Sequence, residues 1–90
     1  LKLRKRYVVL RFEGELEEVC ELLRPSLSHP DFLKPILRDG DLGILRCAHL
    51  DLETVKRTLN RVGIRVVGVS GILRRARRKY LGNGLNAGVK

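Results

Sequence analysis

The residues with the clearest chemical potential are Arg74, Arg75, Arg77, Arg78 and Lys79, within the stretch VVGVSGILRRARRKYL at residues 66–81. Five cations fall in six consecutive positions with no acidic residue among them. On a helix of about 100° per residue they leave one stripe, Ile72, Leu73, Ala76 and Tyr80, to face a core. Guanidinium forks match phosphate oxygens two at a time. Like charges on one short helix also repel each other until a polyanion neutralises them. The chemistry implied is recognition of a phosphate backbone, and nucleic acid is the partner class that supplies one. The competing reading is a solvated charged face. The high Arg content, the preceding glycine turn and the missing acids weigh against it.

Gly68, Ser70 and Gly71 come just before this run. Glycines on both sides of a serine mark a place where the backbone turns tightly or lets another group approach. These three residues are expected to form the turn that aims the basic helix. Ser70 reads as a turn or capping residue, or as a donor to phosphate. Arg4, Lys5 and Arg6 extend the same patch if the start of the first strand lies beside the last helix. Arg11 and Arg46 read as either partner contacts or internally paired.

No catalytic constellation accompanies these residues. His29 and His49 are isolated, and neither has Cys or His at metal-ligand spacing. Gly68–Gly71 lacks the GxxxxGK[ST] spacing of a phosphate-binding loop. Glu15, Glu17, Glu18 and Glu21 are explained by solvation and the helix dipole. Asp39, Asp41 and Asp51 are too dispersed for a two-metal site. The expectation is no metal, no cofactor and no catalytic site in the chain itself.

Composition agrees with a binding role. The 90 residues carry a net charge of +9, and 43% are hydrophobic, enough for one modest core. No apolar run approaches the roughly 18 residues of a membrane span. A membrane-surface role ranks below nucleic acid, because the basic helix has one aromatic and a narrow apolar stripe. Residues 1–6 lead straight into a strand-like pattern without signal-peptide character. Cys20 and Cys47 sit where apolar residues would fit, and read as buried free thiols in a reducing compartment, with a cytoplasmic location expected.

The elements that position the basic run follow from periodicity. KRYVVLRF at residues 5–12 alternates with period two, as a strand does. Val8, Leu10 and Phe12 form one face; Tyr7, Val9 and Arg11 form the other. Residues 15–27 read as a helix with Leu16, Val19, Cys20 and Leu23 inward, ending near Arg24 ahead of Pro25. Residues 33–38 and 43–48 read as a hairpin around Asp39-Gly40-Asp41, with Pro35 on an edge strand. Asp51 is expected to N-cap a helix with Leu52, Val55, Leu59 and Val62 inward, stopped by Gly63. A strand at 64–69 precedes the basic helix. The order β-α-β-β-α-β predicts an α+β fold: a ferredoxin-like βαββαβ antiparallel sheet with an additional C-terminal basic helix. Residues 1–81 form one such RNA-binding domain, and 82–90 form a flexible C-terminal tail. Tyr7, Val9, Arg11, Ile44 and Arg46 point away from the two packed helices. That face is to be covered by Ile72, Leu73, Ala76 and Tyr80 or by a partner. It has only Tyr7 for base stacking, so phosphate and shape contacts fit better than readout on the sheet.

GVSGILRRARRKYL at residues 68–81 resembles the C-terminal signature of protein component 2 of ribonuclease P, a family shared by archaea and eukaryotes. In that family a Gly-Val-Ser-Gly turn leads into a basic helix ending in Lys, an aromatic and Leu. KRYVVLRF resembles the family's opening strand, and GILRCAHLDLETVKRTL at residues 43–59 its strand, Arg-Cys and following helix. Ile72 departs from the family, which often has Thr there. The resemblance implies a non-catalytic subunit that binds and stabilises ribonuclease P RNA, whose metal ions remove the 5′ leader of precursor tRNA. It further implies pairing with protein component 3, a TIM-barrel-like protein, and a heterotetramer of two such pairs. The alternative is a generic structured-RNA-binding or ribosome-associated domain, for which the same basic helix suffices. A third class is a protein-interaction module whose basic helix docks on an acidic protein.

Overall fold

Strict alternation through YVVLRF needs a backbone that sends successive side chains to opposite sides. The chain realises it as β1 (Lys5–Arg11). The computed structural model describes residues 2–81. After β1 come α1 (Leu16–Leu23), β2 (Lys34–Asp39), β3 (Leu42–Ala48), α2 (Leu52–Arg61), β4 (Arg65–Ser70) and α3 (Leu73–Ala76). The flexible tail expected at residues 82–90 lies outside the described residues. The strands form one antiparallel sheet in the order β2-β3-β1-β4. The architecture is α+β, a four-stranded antiparallel sheet with three α-helices among the described residues, broadly compatible with a ferredoxin-like fold.

Both faces of the sheet are used. On one, Val8, Leu10, Leu45 and Cys47 meet Leu16, Val19, Cys20 and Leu23 of α1 and Val55 and Leu59 of α2. Leu10, Leu23, Leu45 and Leu59 are fully enclosed, each worth about 1.5–3 kcal/mol relative to exposure. On the other face Val9 and Ile44 are buried under Ala76 of α3, flanked by Tyr7, Leu73 and Tyr80. The result is three layers, with α1 and α2 on one side of the sheet and α3 on the other. Cys20 and Cys47 are free and share the larger core. Burial pushes the Cys20 thiol up to about 11 and the Cys47 thiol up to about 12.

The α1–β2 connection contains two 3-10 turns, Arg24–Ser26 and Pro30–Phe32, with Pro25 second in one and Pro30 first in the other. Asp51 corrects the expected cap. It stands at the N-cap position of α2 but makes no side-chain cap bond. A 3-10 turn, His49–Asp51, precedes the helix, so the Asp51 backbone is already helical. Its buried carboxylate reaches back instead to the α1–β2 loop, accepting the Ser28 and His29 N–H groups at 2.9 Å each. At the other end of α2, Gly63 has φ +83°. Its N–H donates to the Asn60 carbonyl at 3.1 Å, and the Ile64 N–H donates to the Leu59 carbonyl at 2.8 Å. These two bonds are the Schellman closure that a left-handed residue permits, and they send the chain into β4.

The register of β1 against β4 shifts once, from Val9↔Gly68 to Leu10↔Val66. Val67 is the extra residue of this bulge. Val67 therefore joins the apolar cluster beneath α3, while Val66 and Val69 pack towards α1 and α2.

Candidate nucleic-acid interface

β4 ends at Ser70, and a tight local turn starts the basic segment. The Ser70 Oγ–H donates to the Ile72 carbonyl at 2.9 Å, and the Ile72 N–H donates to Ser70 Oγ at 3.1 Å. Ser70 is thus a turn residue. Gly71 follows it without a positive φ, as the positive-φ glycines among the described residues are Gly14, Gly40 and Gly63. Gly68 departs from its expected place: it lies inside β4, not in the turn. Its missing side chain serves a close approach, because a Cβ there would fall within the Tyr80 ring.

Ile72 also departs from expectation. It stays in extended backbone at φ −130° and is 52% exposed, so it lies off the packed stripe. The helical turn begins one residue later. Leu73 and Ala76 of α3 then seat on the sheet, with Ala76 fully buried. The backbone widens into a π turn, Arg77–Leu81, which carries Tyr80 down onto β4. Every cation between these anchors points outward: Arg74, Arg75, Arg77, Arg78 and Lys79 are all exposed. The Lys79 Nζ lies 5.5 Å from the centre of the Tyr80 ring. No carboxylate of the described residues is ion-paired to any of the four arginines.

Pairing of Tyr7 with Ser70 puts the start of β1 beside this turn. Arg6 approaches it directly, its guanidinium Nη1 3.4 Å from where a Gly71 Cβ would stand and donating to the Lys5 carbonyl at 2.9 Å. Arg4 is tied to the β3 side instead. Its N–H donates to His49 Nδ1 at 2.9 Å, and the His49 N–H donates to its carbonyl at 2.8 Å. Lys5, exposed, stands opposite Ala48 of β3. Of the three N-terminal cations, Arg6 is the one brought against the turn that leads into α3.

Arg11 and Arg46 have internal partners. Arg11 lies 3.7 Å from the Asp41 carboxylate, and both side chains are well exposed. The Arg46 Nε–H donates to the Phe32 carbonyl at 3.1 Å, with its guanidinium 5.7 Å from the Phe32 ring centre. Arg65, to which sequence reasoning gave no role, stands directly across the β1–β4 ladder from Arg11. Only the register shows that pairing.

The acids of α1 stand apart from the basic helix. Glu17, Glu18 and Glu21 are exposed on α1, across the sheet from α3. The face that RNA-recognition motifs use to stack bases is here roofed by α3, and Tyr7 packs into the cluster beneath it. Among the described residues, no group of three or more His, Cys, Asp or Glu is placed to hold a metal ion. No helix among them is long and apolar enough to cross a membrane. What the arrangement can do chemically is present guanidinium groups to an extended polyanion from a helix fixed at both ends.

No protein-family model and no curated protein matches the chain.

Proposed function

We propose that this chain is a non-catalytic protein subunit of ribonuclease P, of the component 2 kind, that binds and stabilises the catalytic RNA for removal of the 5′ leader from precursor tRNA. The observation that carries the RNA-binding part is the mounting of α3. Leu73, Ala76 and Tyr80 face the sheet while the intervening cations face solvent. Each phosphate neutralised releases condensed counterions, so such a surface gains affinity from any RNA backbone that follows it. The resemblance of residues 68–81 to the component 2 signature narrows that reading to ribonuclease P.

In this reading the fold is the ferredoxin-like βαββαβ arrangement with its added basic helix, working in the cytoplasm. The protein partner is component 3 of ribonuclease P, and two such pairs form a heterotetramer. The acidic surface of α1 repels RNA and is turned to solvent or to a basic protein surface.

The test is reconstituted precursor-tRNA cleavage by the cognate RNA with component 3, with and without this chain, at moderate magnesium. Activity that requires both proteins, and is lost on charge reversal of Arg74 and Arg78, is the expected result. A chain that binds RNA but adds nothing to cleavage is a generic structured-RNA-binding domain instead.

A further inference from the structure

The outer edge of β4 carries a second cationic surface. β4 is the last strand of the sheet, with no strand beyond it among the described residues. A groove of about 570 Å³ runs between this edge and α2, and Lys56, Arg57 and Arg65 line it together with Asn60 and one acid, Glu53. A smaller hollow of about 200 Å³ at the same strand end is lined by Arg11, Arg65, Val66 and Val67. Arg65 and Val66 belong to both, so the two depressions adjoin at this strand end and Arg65 is the cation they share.

The charge here is poorly compensated. Arg11 and Arg65 are direct cross-strand partners, a like-charge pairing that costs sheet stability when nothing lies between the two groups. Asp41 reaches Arg11 at 3.7 Å and Glu53 reaches Lys56 at 3.8 Å, both in solvent-exposed pairs that are weak and readily exchanged. Arg57 and Arg65 have no ion pair among the described residues. This edge is also close to the basic helix. Tyr80 sits over Gly68, three residues along β4 from Arg65, or about 10 Å at the rise of a strand.

We propose that the RNA track does not end at α3 but turns around the outer edge of β4, where Arg11, Arg65 and Arg57 take further phosphates of the same backbone. The proposal rests on the RNA-binding reading above. A phosphate between Arg11 and Arg65 relieves their repulsion, and the open groove lets the backbone continue towards Arg57. The contacts are to phosphate and carry no base specificity.

The test compares salt titrations of binding to a single-stranded uridine oligonucleotide and to a precursor tRNA. The proteins are the intact chain, Arg57→Ala/Arg65→Ala and Arg74→Glu/Arg78→Glu. All four side chains are exposed, and thermal melts check that each variant folds. The expected result for Arg57→Ala/Arg65→Ala is weaker binding with a log–log salt slope shallower by about 1.4 on the single strand, the loss of two phosphate contacts. Tight binding by the intact chain with an unchanged slope in this variant overturns the second track and leaves the α3 reading standing. No binding by the intact chain overturns both. A poly-glutamate peptide that binds the intact chain but not Arg57→Ala/Arg65→Ala, with RNA binding unaffected, assigns the groove to an acidic peptide and also overturns the proposal.

Discussion

The ring of Tyr80 lies against Gly68, so closely that no side chain fits on that strand position. This contact fastens the far end of the basic segment to β4, while Leu73 and Ala76 fasten its beginning to the same apolar cluster. The glycine is a socket, and the aromatic twelve residues later is its plug. Gly68→Ala forces the ring off its seat, and overpacking of this kind costs about 1–3 kcal/mol. In a Tyr80→Ala background the same substitution costs much less, because the obstacle is gone. Urea denaturation of both single variants and the double variant reads this coupling directly. Additive effects would show that the two residues do not meet in solution.

The arginines of α3 are separable from its anchors. Arg74→Glu/Arg78→Glu leaves Leu73, Ala76 and Tyr80 in place, so the circular-dichroism spectrum and urea midpoint stay close to those of the parent. RNA binding is lost, since two attractive contacts become repulsive ones. Fluorescence anisotropy at several salt concentrations measures the loss, and the parent shows the steep salt dependence of phosphate contacts.

Asp51 holds the α1–β2 loop through the Ser28 and His29 N–H groups. Asp51→Ala leaves both amides without their acceptor. Hydrogen bonds to a charged group are worth about 1.5–3 kcal/mol each, so a loss of at least about 2 kcal/mol is expected by urea unfolding. Asp51→Asn keeps one acceptor oxygen and loses less. Amide hydrogen exchange at Ser28 and His29 accelerates in the alanine variant, whereas a capping role would place the change in the first turn of α2.

The two thiols make stability depend on alkaline pH. Burial raises Cys20 from 9.0 to about 11 and Cys47 from 9.0 to about 12, so the fold favours their neutral forms. The stabilisation is complete below about pH 9, where the unfolded thiols are also neutral. It is lost as the pH rises from 9 towards the folded values, because the unfolded chain gives up its protons first. A Cys20→Ser/Cys47→Ser variant shows a flatter decline over that window. In the native parent at about pH 8, both thiols resist a thiol reagent until denaturant is added.

Much of this molecule was legible in local pattern. Period-two alternation separated Val8 and Leu10 from Tyr7 and Val9, and the structure places those sets in different clusters. Helical spacing identified Leu16, Val19, Cys20 and Leu23 as one buried face, and all four are buried. Gly63 announced the end of α2, because a left-handed residue there needs no Cβ. The bunching of five cations was visible without any structure, since charge is a property of residue type.

Other features depended on residues far apart in the chain. Asp51 has the right type for a cap, but a preceding 3-10 turn directs its carboxylate to a loop more than twenty residues away. Ile72 fits the apolar stripe by spacing, yet the helical turn starts after it and leaves it exposed. Gly68 reads as part of a turn until Tyr80 is found resting on it. The opposition of Arg11 and Arg65 exists only once the β1–β4 register, with its bulge at Val67, is fixed. Which side chains are apolar, charged or flexible, and with what period they recur, is settled along the chain, because these follow from covalent chemistry and local backbone geometry. Which face α3 covers and which cations share a surface emerge only on folding, because those outcomes minimise exposed apolar area and unpaired polar groups over many distant residues at once.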